Sequence, residues 1–212
     1  MANSRMNELD YQFTQDWFVQ NIPIWNELLP RYNPQKVLEV GSFEGRSACY
    51  FIENCAKEHP FELHCIDSWD GGIEHDPGRM PAVEARFDHN IAVAKSRVAH
   101  KARVIKHKSL SHAALAKLMV VDPVGTFDVV YIDGSHQAPD VLTDAVMAFK
   151  LLRVGGLLIF DDYLWSLEKP GRQDSLTMPK PAIDAFLNLF QRKMVVVQGV
   201  PLYQVFATKF FA

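Results

Sequence analysis

The stretch that decides the fold is VLEVGSFEGRS, which runs from Val37 to Ser47. A short apolar run ends beside an acidic residue, two glycines follow four positions apart, and a serine opens a helical pattern. The stretch therefore predicts a strand, a tight turn and a helix. Because glycine lets a ligand approach the backbone and the first helical turn offers free N–H groups, we expect a polar or anionic group to bind here.

This turn lacks the dinucleotide fingerprint, which would require glycine in place of Phe43 and Arg46. It resembles instead motif I of the class I S-adenosylmethionine (SAM) methyltransferases, Glu/Asp-x-Gly-x-x-x-Gly. The resemblance implies that the turn holds the methionine end of SAM. A tight turn without a ligand is the alternative, since strand–glycine–helix turns occur in many α/β proteins. The implied SAM contacts in the turn are Glu39, Gly41, Ser42, Phe43, Gly45 and Ser47.

The totals describe one globular domain, because 212 residues with 48% hydrophobic and 22% charged side chains suffice for a sizeable core. A net charge of −3 without a basic stripe argues against nucleic-acid binding. The sequence shows no apolar run of membrane-spanning length and no signal-peptide pattern, so we expect a cytoplasmic protein with no membrane partner. The cysteines, Cys49, Cys55 and Cys65, lack metal-site spacing and are expected to be reduced core thiols.

From Val37 onward the pattern alternates between strands and helices, which is typical of a parallel sheet. Two final β-rich runs, joined by Gly199-Val200-Pro201, predict a hairpin. The expected fold is α/β and Rossmann-like: a seven-stranded, mainly parallel sheet with an antiparallel C-terminal hairpin and helices on both faces. Class I methyltransferases have this architecture, so the resemblance covers nearly the whole chain. Strands are predicted at 37–40, 62–66, 102–106, 127–132, 157–160, 194–198 and 203–208, and helices near 45–59, 80–98, 111–118, 139–152 and 181–191.

Two features outside this alternation carry further predictions. Residues 10–32 show an aromatic-rich helical pattern interrupted by Pro23, and we expect residues 1–34 to form a helical cap ahead of a methyltransferase domain at 35–212. The cap would cover a sheet edge, with a lid or a homodimer contact as secondary roles. Gly155-Gly156 is expected to end the helix before the fifth strand.

Ligands bind open α/β sheets beyond the carboxyl ends of the strands, so the polar residues there are candidates for the site. Asp67 follows the glycine turn by about twenty residues, the spacing at which an acidic side chain accepts hydrogen bonds from ribose hydroxyls. A local turn cap is the alternative role. The resemblance further implies contacts to the adenosine part of SAM from Trp69, Lys108, Ser109 and Leu110. Ser68 and Asp133 are further predicted cofactor-binding residues.

Three carboxylates, those of Asp133, Asp161 and Asp162, follow the fourth and fifth strands. Carboxylates that share a site repel one another unless a cation offsets their charge. Oxygen ligands select a hard divalent ion, and a site with few protein ligands suits Mg²⁺. We therefore predict a metal site formed by the three side chains, with separate strand-end caps as the alternative.

The residues around these carboxylates resemble the metal-dependent, catechol-type O-methyltransferases. Asp162 stands where those enzymes have asparagine, which is similar to the antibiotic-sugar O-methyltransferases. His136 occupies the position of the catalytic base in this group. An imidazole near its unperturbed pKa can take the proton of a metal-bound hydroxyl, although a helix-start role is the alternative. Asp133 and His136 are thus the predicted catalytic residues.

The predicted function is SAM-dependent, Mg²⁺-assisted O-methylation of a hydroxyl group on a small molecule such as a sugar or natural product. Three alternatives are a non-catalytic SAM-binding protein, an iron-dependent hydroxylase of the cephalosporin type and an NAD-linked oxidoreductase. The acceptor pocket is expected between the loops at 68–80 and 163–180. Its predicted lining is Trp69, His75, Met80, Tyr163 and Trp165.

Overall fold

The computed structural model describes residues 10–122 and 124–212. Its centre is a seven-stranded sheet of order β3-β2-β1-β4-β5-β7-β6. The strands β1 to β5 are parallel, and β7 lies antiparallel between β5 and β6. The predicted fold and its C-terminal hairpin are confirmed. The strands are β1 (Lys36–Val40), β2 (Phe61–Asp67), β3 (Ala102–Lys108), β4 (Phe127–Ile132), β5 (Leu152–Phe160), β6 (Met194–Val196) and β7 (Val205–Lys209).

Helices cover both faces of this sheet because successive side chains of each strand point to opposite sides. Val37 of β1 belongs to a hydrophobic cluster with residues of α1, α2 and α3, whereas Leu38 packs with residues of α4, α5 and α6. No described helix has the length and apolar character that a bilayer crossing requires. The helices are α1 (Ile22–Leu28), α2 (Arg46–Cys55), α3 (Met80–Arg97), α4 (Ser111–Val121), α5 (Ala138–Leu151) and α6 (Lys180–Phe190).

The N-terminal segment corrects one prediction. Pro23 does not interrupt a helix but lies in the first turn of α1, where its missing N–H costs nothing. Short 3₁₀ turns flank α1, so the predicted helix over residues 10–32 is wrong in extent. Trp25 is fully buried in the same cluster as α2 and donates a 2.8 Å hydrogen bond to Gln204, just before β7. Residues 1–9 of the predicted cap lie outside the described residues.

Gly155 and Gly156 correct a second prediction. α5 ends at Leu151, and β5 begins at the next residue, so Gly155 and Gly156 lie inside the strand. Gly155 has a φ of +77°, and the pairing of β4 with β5 shifts register after Phe127. The glycines therefore accommodate an irregular entry of the strand rather than the end of the helix.

The cysteine prediction is confirmed, since Cys49, Cys55 and Cys65 are buried and unpaired among the described residues. Cys49 and Cys55 lie on α2, and Cys65 lies on β2. Burial raises the pKa of the Cys55 thiol to about 12 and that of the Cys65 thiol well above its usual value. These thiols therefore behave as core side chains rather than nucleophiles.

Parallel register brings the carboxyl ends of β1, β4 and β5 to one edge. Val40 pairs with Ile132, and Ile132 pairs with Phe160. The amide of Asp133 donates a 2.7 Å hydrogen bond to the carbonyl of Val40, so the residues after each strand start side by side. The strand order reverses between β1 and β4, which is where open α/β sheets bind ligands.

We predict that Gly41→Ala destabilises the protein far more than Gly171→Ala. Both glycines have a positive φ, but a Cβ on Gly41 would lie 1.9 Å from the carbonyl oxygen of Asp133, whereas nothing lies within 4 Å at Gly171. The control should lose about 1 kcal/mol through backbone strain, and Gly41→Ala about 3 kcal/mol or more through the added clash. Urea denaturation measures both values, and equal losses would contradict the close approach.

Candidate functional site

The glycine turn between β1 and α2 has a left-handed backbone at alternate residues: φ is +86° at Gly41, +46° at Phe43 and +79° at Gly45. This conformation folds the turn tightly over the end of β1. The near contact of Gly41 with Asp133 joins the turn to the end of β4. The predicted strand, turn and helix are thus confirmed, and the turn borders the carboxylates expected after β4 and β5.

Glu39 lies beneath this turn with no exposed surface. Its carboxylate accepts a 2.6 Å hydrogen bond from the hydroxyl of Ser42 and a 2.5 Å bond from that of Ser47. Burial raises the pKa of Glu39 to about 7, although the two hydroxyl groups act in the opposite direction. Three of the predicted cofactor residues therefore form one hydrogen-bonded unit that supports the turn.

Asp67 supports the same turn from the end of β2. One carboxylate oxygen accepts 2.9 Å hydrogen bonds from the amides of Ser42 and Phe43, and the other accepts a 2.7 Å bond from the amide of Trp69. The turn-cap role is therefore present, and the ribose role stays a prediction. Ser68 accepts a hydrogen bond from the amide of the residue two positions later.

Trp69 is part of the core rather than an exposed lining of the predicted acceptor pocket. It is 2% exposed, its indole packs on Phe87, and the indole N–H donates a 2.9 Å hydrogen bond to the carbonyl of Phe43. The side chain therefore braces the glycine turn. Its contact with adenosine stays a prediction.

The end of β3 carries the other adenosine candidates. Lys108 forms a 2.6 Å ion pair with Glu84 of α3, and the amide of Ser109 donates a 3.0 Å hydrogen bond to the carbonyl of Asp67. Leu110 directly precedes α4 and is 60% exposed. The backbone at Ser109 thus lies against the end of β2, and the contacts of these residues with adenosine stay a prediction.

Asp133, His136 and Asp162 form the cluster with metal-ligand geometry, because one ligand atom of each lies within 4.8 Å of the others. Asp162 adopts a left-handed φ of +55°, which aspartate tolerates better than most residues. Its carboxylate accepts a 2.8 Å hydrogen bond from the hydroxyl of Tyr203 and lies 2.7 Å from Nε2 of His136. Two of the three predicted metal ligands thus meet, together with the predicted base.

Asp161 is not one of these three residues, and its carboxylate lies in a buried network beside them. The hydroxyl of Tyr131 lies between the carboxylates of Asp133 and Asp161, and Gln204 donates a 2.9 Å hydrogen bond to Asp161. Burial and the charge of Asp162 raise the pKa of Asp161 to about 6. Burial and the two neighbouring aspartates also raise the pKa of Asp133 well above its usual value.

Burial and neighbouring carboxylates together raise the pKa values of Asp133 and Asp161, and a cation bound beside them would offset the repulsion. Two carboxylates and an imidazole within reach of one another are a donor set that divalent cations accept, with oxygen ligands favouring Mg²⁺ or Mn²⁺. Asp133 and Asp162 therefore fit a divalent cation, and Asp161 contributes negative charge from behind them.

His136 departs from the expected imidazole with an unperturbed pKa. Burial disfavours its charged form, but Asp162 and Glu74 outweigh that effect and raise its pKa to about 10. Nδ1 lies 3.2 Å from the Glu74 carboxylate, and the ring stacks on Trp165 with centroids 4.1 Å apart. The two carboxylates therefore favour the imidazolium form of His136, which pairs with Asp162.

Of the predicted acceptor-pocket residues, two lie beside the carboxylates or the turn. Trp165 stacks on the imidazole, and His75 stacks on Phe43 with centroids 5.2 Å apart. Trp69 and Met80 are buried in the core, and Tyr163 donates a hydrogen bond to a carboxylate of α6. The pocket expected from these five side chains is therefore divided between the site, the core and α6.

Four residues that the structure adds to the site have no separate signal in the sequence. Tyr131 is one of several apolar residues in β4, and Tyr203 and Gln204 precede a strand far along the chain. Glu74 is one acidic residue among several in a polar loop. Each acquires its role through contacts between distant elements.

Comparison with known proteins agrees with this geometry. A family model described as a methyltransferase domain matches residues 38–163, more than half of the chain. The chain belongs to this methyltransferase domain family. The probable caffeoyl-CoA O-methyltransferase 3 of Dictyostelium discoideum is 26% identical over 142 residues, which make up 65% of this chain and 47% of that protein. The chain spans about half the length of the curated relatives that it matches.

Solved methyltransferase structures share the fold. The O-methyltransferase from Bacillus cereus in complex with SAH has a TM-score of 0.64 at 16% identity, covering 93% of this chain and 84% of that one. The MycE methyltransferase of the mycinamycin biosynthetic pathway, in complex with Mg, SAH and mycinamycin VI, has a TM-score of 0.57 at 16% identity. That match covers 94% of this chain and 51% of the MycE chain.

We predict that Glu39 makes the stability of this methyltransferase-family chain depend on pH. A carboxyl with a raised folded pKa stabilises the fold fully below its unfolded value of 4.5 and loses that contribution as the pH rises through about 7. The unfolding free energy of the wild type minus that of Glu39→Gln should therefore fall by about 3 kcal/mol between pH 4.5 and about 8. Urea titrations measure this difference, and a flat profile would show that burial does not shift Glu39.

Proposed function

We propose that this chain is a SAM-dependent O-methyltransferase that acts on a hydroxyl group of a small molecule with the help of a divalent cation such as Mg²⁺. One observation carries the proposal. The glycine turn and the carboxylate cluster meet at a single point, where a Cβ on Gly41 would lie 1.9 Å from the carbonyl oxygen of Asp133. A cofactor on the turn and an acceptor on the cluster would therefore be neighbours.

Several residues of the turn suit the methionine end of SAM. Glu39 supplies negative charge beneath the turn, and the start of α2 supplies free N–H groups for a carboxylate. Asp67 keeps lone pairs that can accept from ribose hydroxyls in addition to its backbone bonds. SAH in the related Bacillus cereus structure supports this cofactor.

The proposed metal ligands are Asp133 and Asp162, with His136 beside them. A divalent cation there would lower the pKa of an acceptor hydroxyl and orient its oxygen. Magnesium in the MycE structure and the name of the Dictyostelium relative support an O-methyltransferase with a metal. The acidic Asp162, in place of the asparagine of catechol-type enzymes, favours a sugar or natural product as the acceptor.

His136 is the proposed general base. To accept a proton it has to enter the reaction as neutral imidazole, which requires that another cation take up the charge of Asp162. The base role and the cation role are therefore linked. For methyl transfer from SAM to the acceptor oxygen, Nε2 of His136 would take the hydroxyl proton, and the carboxylate of Glu74 beside Nδ1 would stabilise the imidazolium that forms.

We predict that SAM and SAH stabilise the protein and that NAD does not. A ligand at one hundred times its dissociation constant adds about 2.7 kcal/mol of stability, enough to raise the melting temperature measurably. Thermal-shift titrations with the three ligands test this prediction. Stabilisation by NAD in place of SAM would contradict the proposed cofactor and favour an oxidoreductase.

We predict that methyl transfer from radiolabelled SAM to a panel of hydroxylated metabolites is lost in EDTA and restored by Mg²⁺. Asp133→Ala should lower the rate by about 100-fold or more. Glu58→Gln, which changes an exposed residue far from the site, is the matched control. Full activity in EDTA would reject the metal role, and iron in the purified protein would favour the hydroxylase alternative.

A further inference from the structure

The imidazole of His136 is held by two loops, one after β5 that carries Asp162 and Trp165 and one after β2 that carries Glu74. Nε2 lies 2.7 Å from Asp162, and the ring face stacks on Trp165 at an angle of 22°. Nδ1 lies 3.2 Å from Oε1 of Glu74. Glu74 is not one of the three clustered ligand residues, and it approaches a different ring nitrogen from Asp162.

Glu74 reaches His136 across the end of β1. It belongs to the loop between β2 and α3, while His136 follows β4, and β1 lies between these two strands. The loop rests on the glycine turn, because His75 stacks on Phe43, and Trp17 packs against both rings. This loop thus contacts both the glycine turn and His136, the proposed general base.

The loop sequence is adapted to this placement of the carboxylate. A Cβ on Gly72 would lie 2.8 Å from both carboxylate oxygens of Glu74, so the carboxylate folds back over a position that has no side chain. The amide of Gly72 also donates a 3.1 Å hydrogen bond to Nδ1 of His75. A side chain at position 72 would therefore displace the carboxylate of Glu74 without removing it.

The contact between Glu74 and His136 is close but leaves hydrogen-bonding capacity unused. Among the described residues, Oε2 of Glu74 and Nδ1 of His136 are buried without a hydrogen-bond partner of good geometry. Buried polar atoms without partners are uncommon and require a specific reason. Hydrogen bonds of catalytic groups are often misaligned in the unliganded protein and tighten when the reactants bind.

We propose that Glu74 is a positioning residue of the acceptor site, which holds the Nδ1 side of His136 so that Nε2 faces Asp133, Asp162 and the acceptor oxygen. The partner of one ring nitrogen decides the orientation of the other, and a carboxylate is the strongest such partner. This role rests on the proposed function. The loop after β2 would then contribute to acceptor binding, although it follows Asp67, which is proposed to bind the cofactor.

The test uses three variants of the full chain and two matched controls. Glu74→Ala removes the carboxylate, Glu74→Gln keeps an oxygen that accepts from Nδ1–H, and Gly72→Ala displaces the carboxylate. Asp70→Ala changes an exposed acidic residue of the same loop. Gly78→Ala adds the same methyl group where the nearest atom, Oδ1 of Asp76, is 3.3 Å away.

Proton NMR of the His136 ring in the SAM-free protein is the first measurement, because stacking on Trp165 shifts these resonances upfield. Glu74→Ala and Gly72→Ala should move them toward the positions of a free histidine, while Glu74→Gln and both controls should leave them in place. Methyl transfer to the acceptor found in the metabolite panel is the second measurement. Glu74→Ala and Gly72→Ala should lower turnover by about 10–100-fold without weakening SAM binding, and Glu74→Gln should retain most activity.

Unchanged His136 resonances in Glu74→Ala would overturn the positioning role, and so would a Gly72→Ala protein that behaves like Gly78→Ala. A loss of turnover that Glu74→Gln fails to rescue would also overturn it. If a glycine variant does not fold, the comparison of Glu74→Ala with Glu74→Gln decides. If the wild type binds no SAM, the proposed function fails, whereas the NMR comparison still judges Glu74.

Discussion

The close approach of Gly41 to the carbonyl of Asp133 is the constraint on which the candidate site depends. It follows from the parallel pairing of β1 with β4, since the amide of Asp133 continues the ladder to the carbonyl of Val40. Any side chain on Gly41 would separate the two loops. Because the loops touch, a ligand on the glycine turn and a ligand on the carboxylate cluster share a boundary.

Negative charge accumulates on this boundary, and the fold compensates it in two ways. Glu39 and Asp67 are compensated by hydroxyl and amide donors of the glycine turn itself. Asp133 and Asp161 share the hydroxyl of Tyr131. Asp162 contacts His136 and the hydroxyl of Tyr203. The carboxylates beneath the glycine turn are thus hydrogen-bonded by the turn itself, whereas those after β4 and β5 would gain most from a bound cation.

Much of the fold was predictable from the sequence because it depends on local patterns. Alternating strands and helices, the glycine turn and the hairpin each leave a periodic or compositional signal. The meeting of Asp133 and Asp162 was predictable as well, since residues that follow neighbouring parallel strands lie at one edge of the sheet. The helix at Pro23 was misjudged because proline is compatible with a first helical turn as well as with a break.

The rest of the site could not be predicted because it depends on packing between distant segments. The direction of the Asp161 side chain is decided by Tyr131 and Gln204, which no spacing rule connects to it. The pKa of His136 depends on Glu74, 62 positions earlier in the chain. The strand entry at Gly155 likewise depends on the register of β4 with β5.

The chain of hydrogen bonds from Trp25 through Gln204 to Asp161 has a consequence for biosynthesis. Trp25 lies in α1, Asp161 follows β5 and Gln204 precedes β7, so this network cannot be completed before Gln204 has left the ribosome. The polar surroundings of Asp161 are therefore completed only after all five parallel strands have been synthesised.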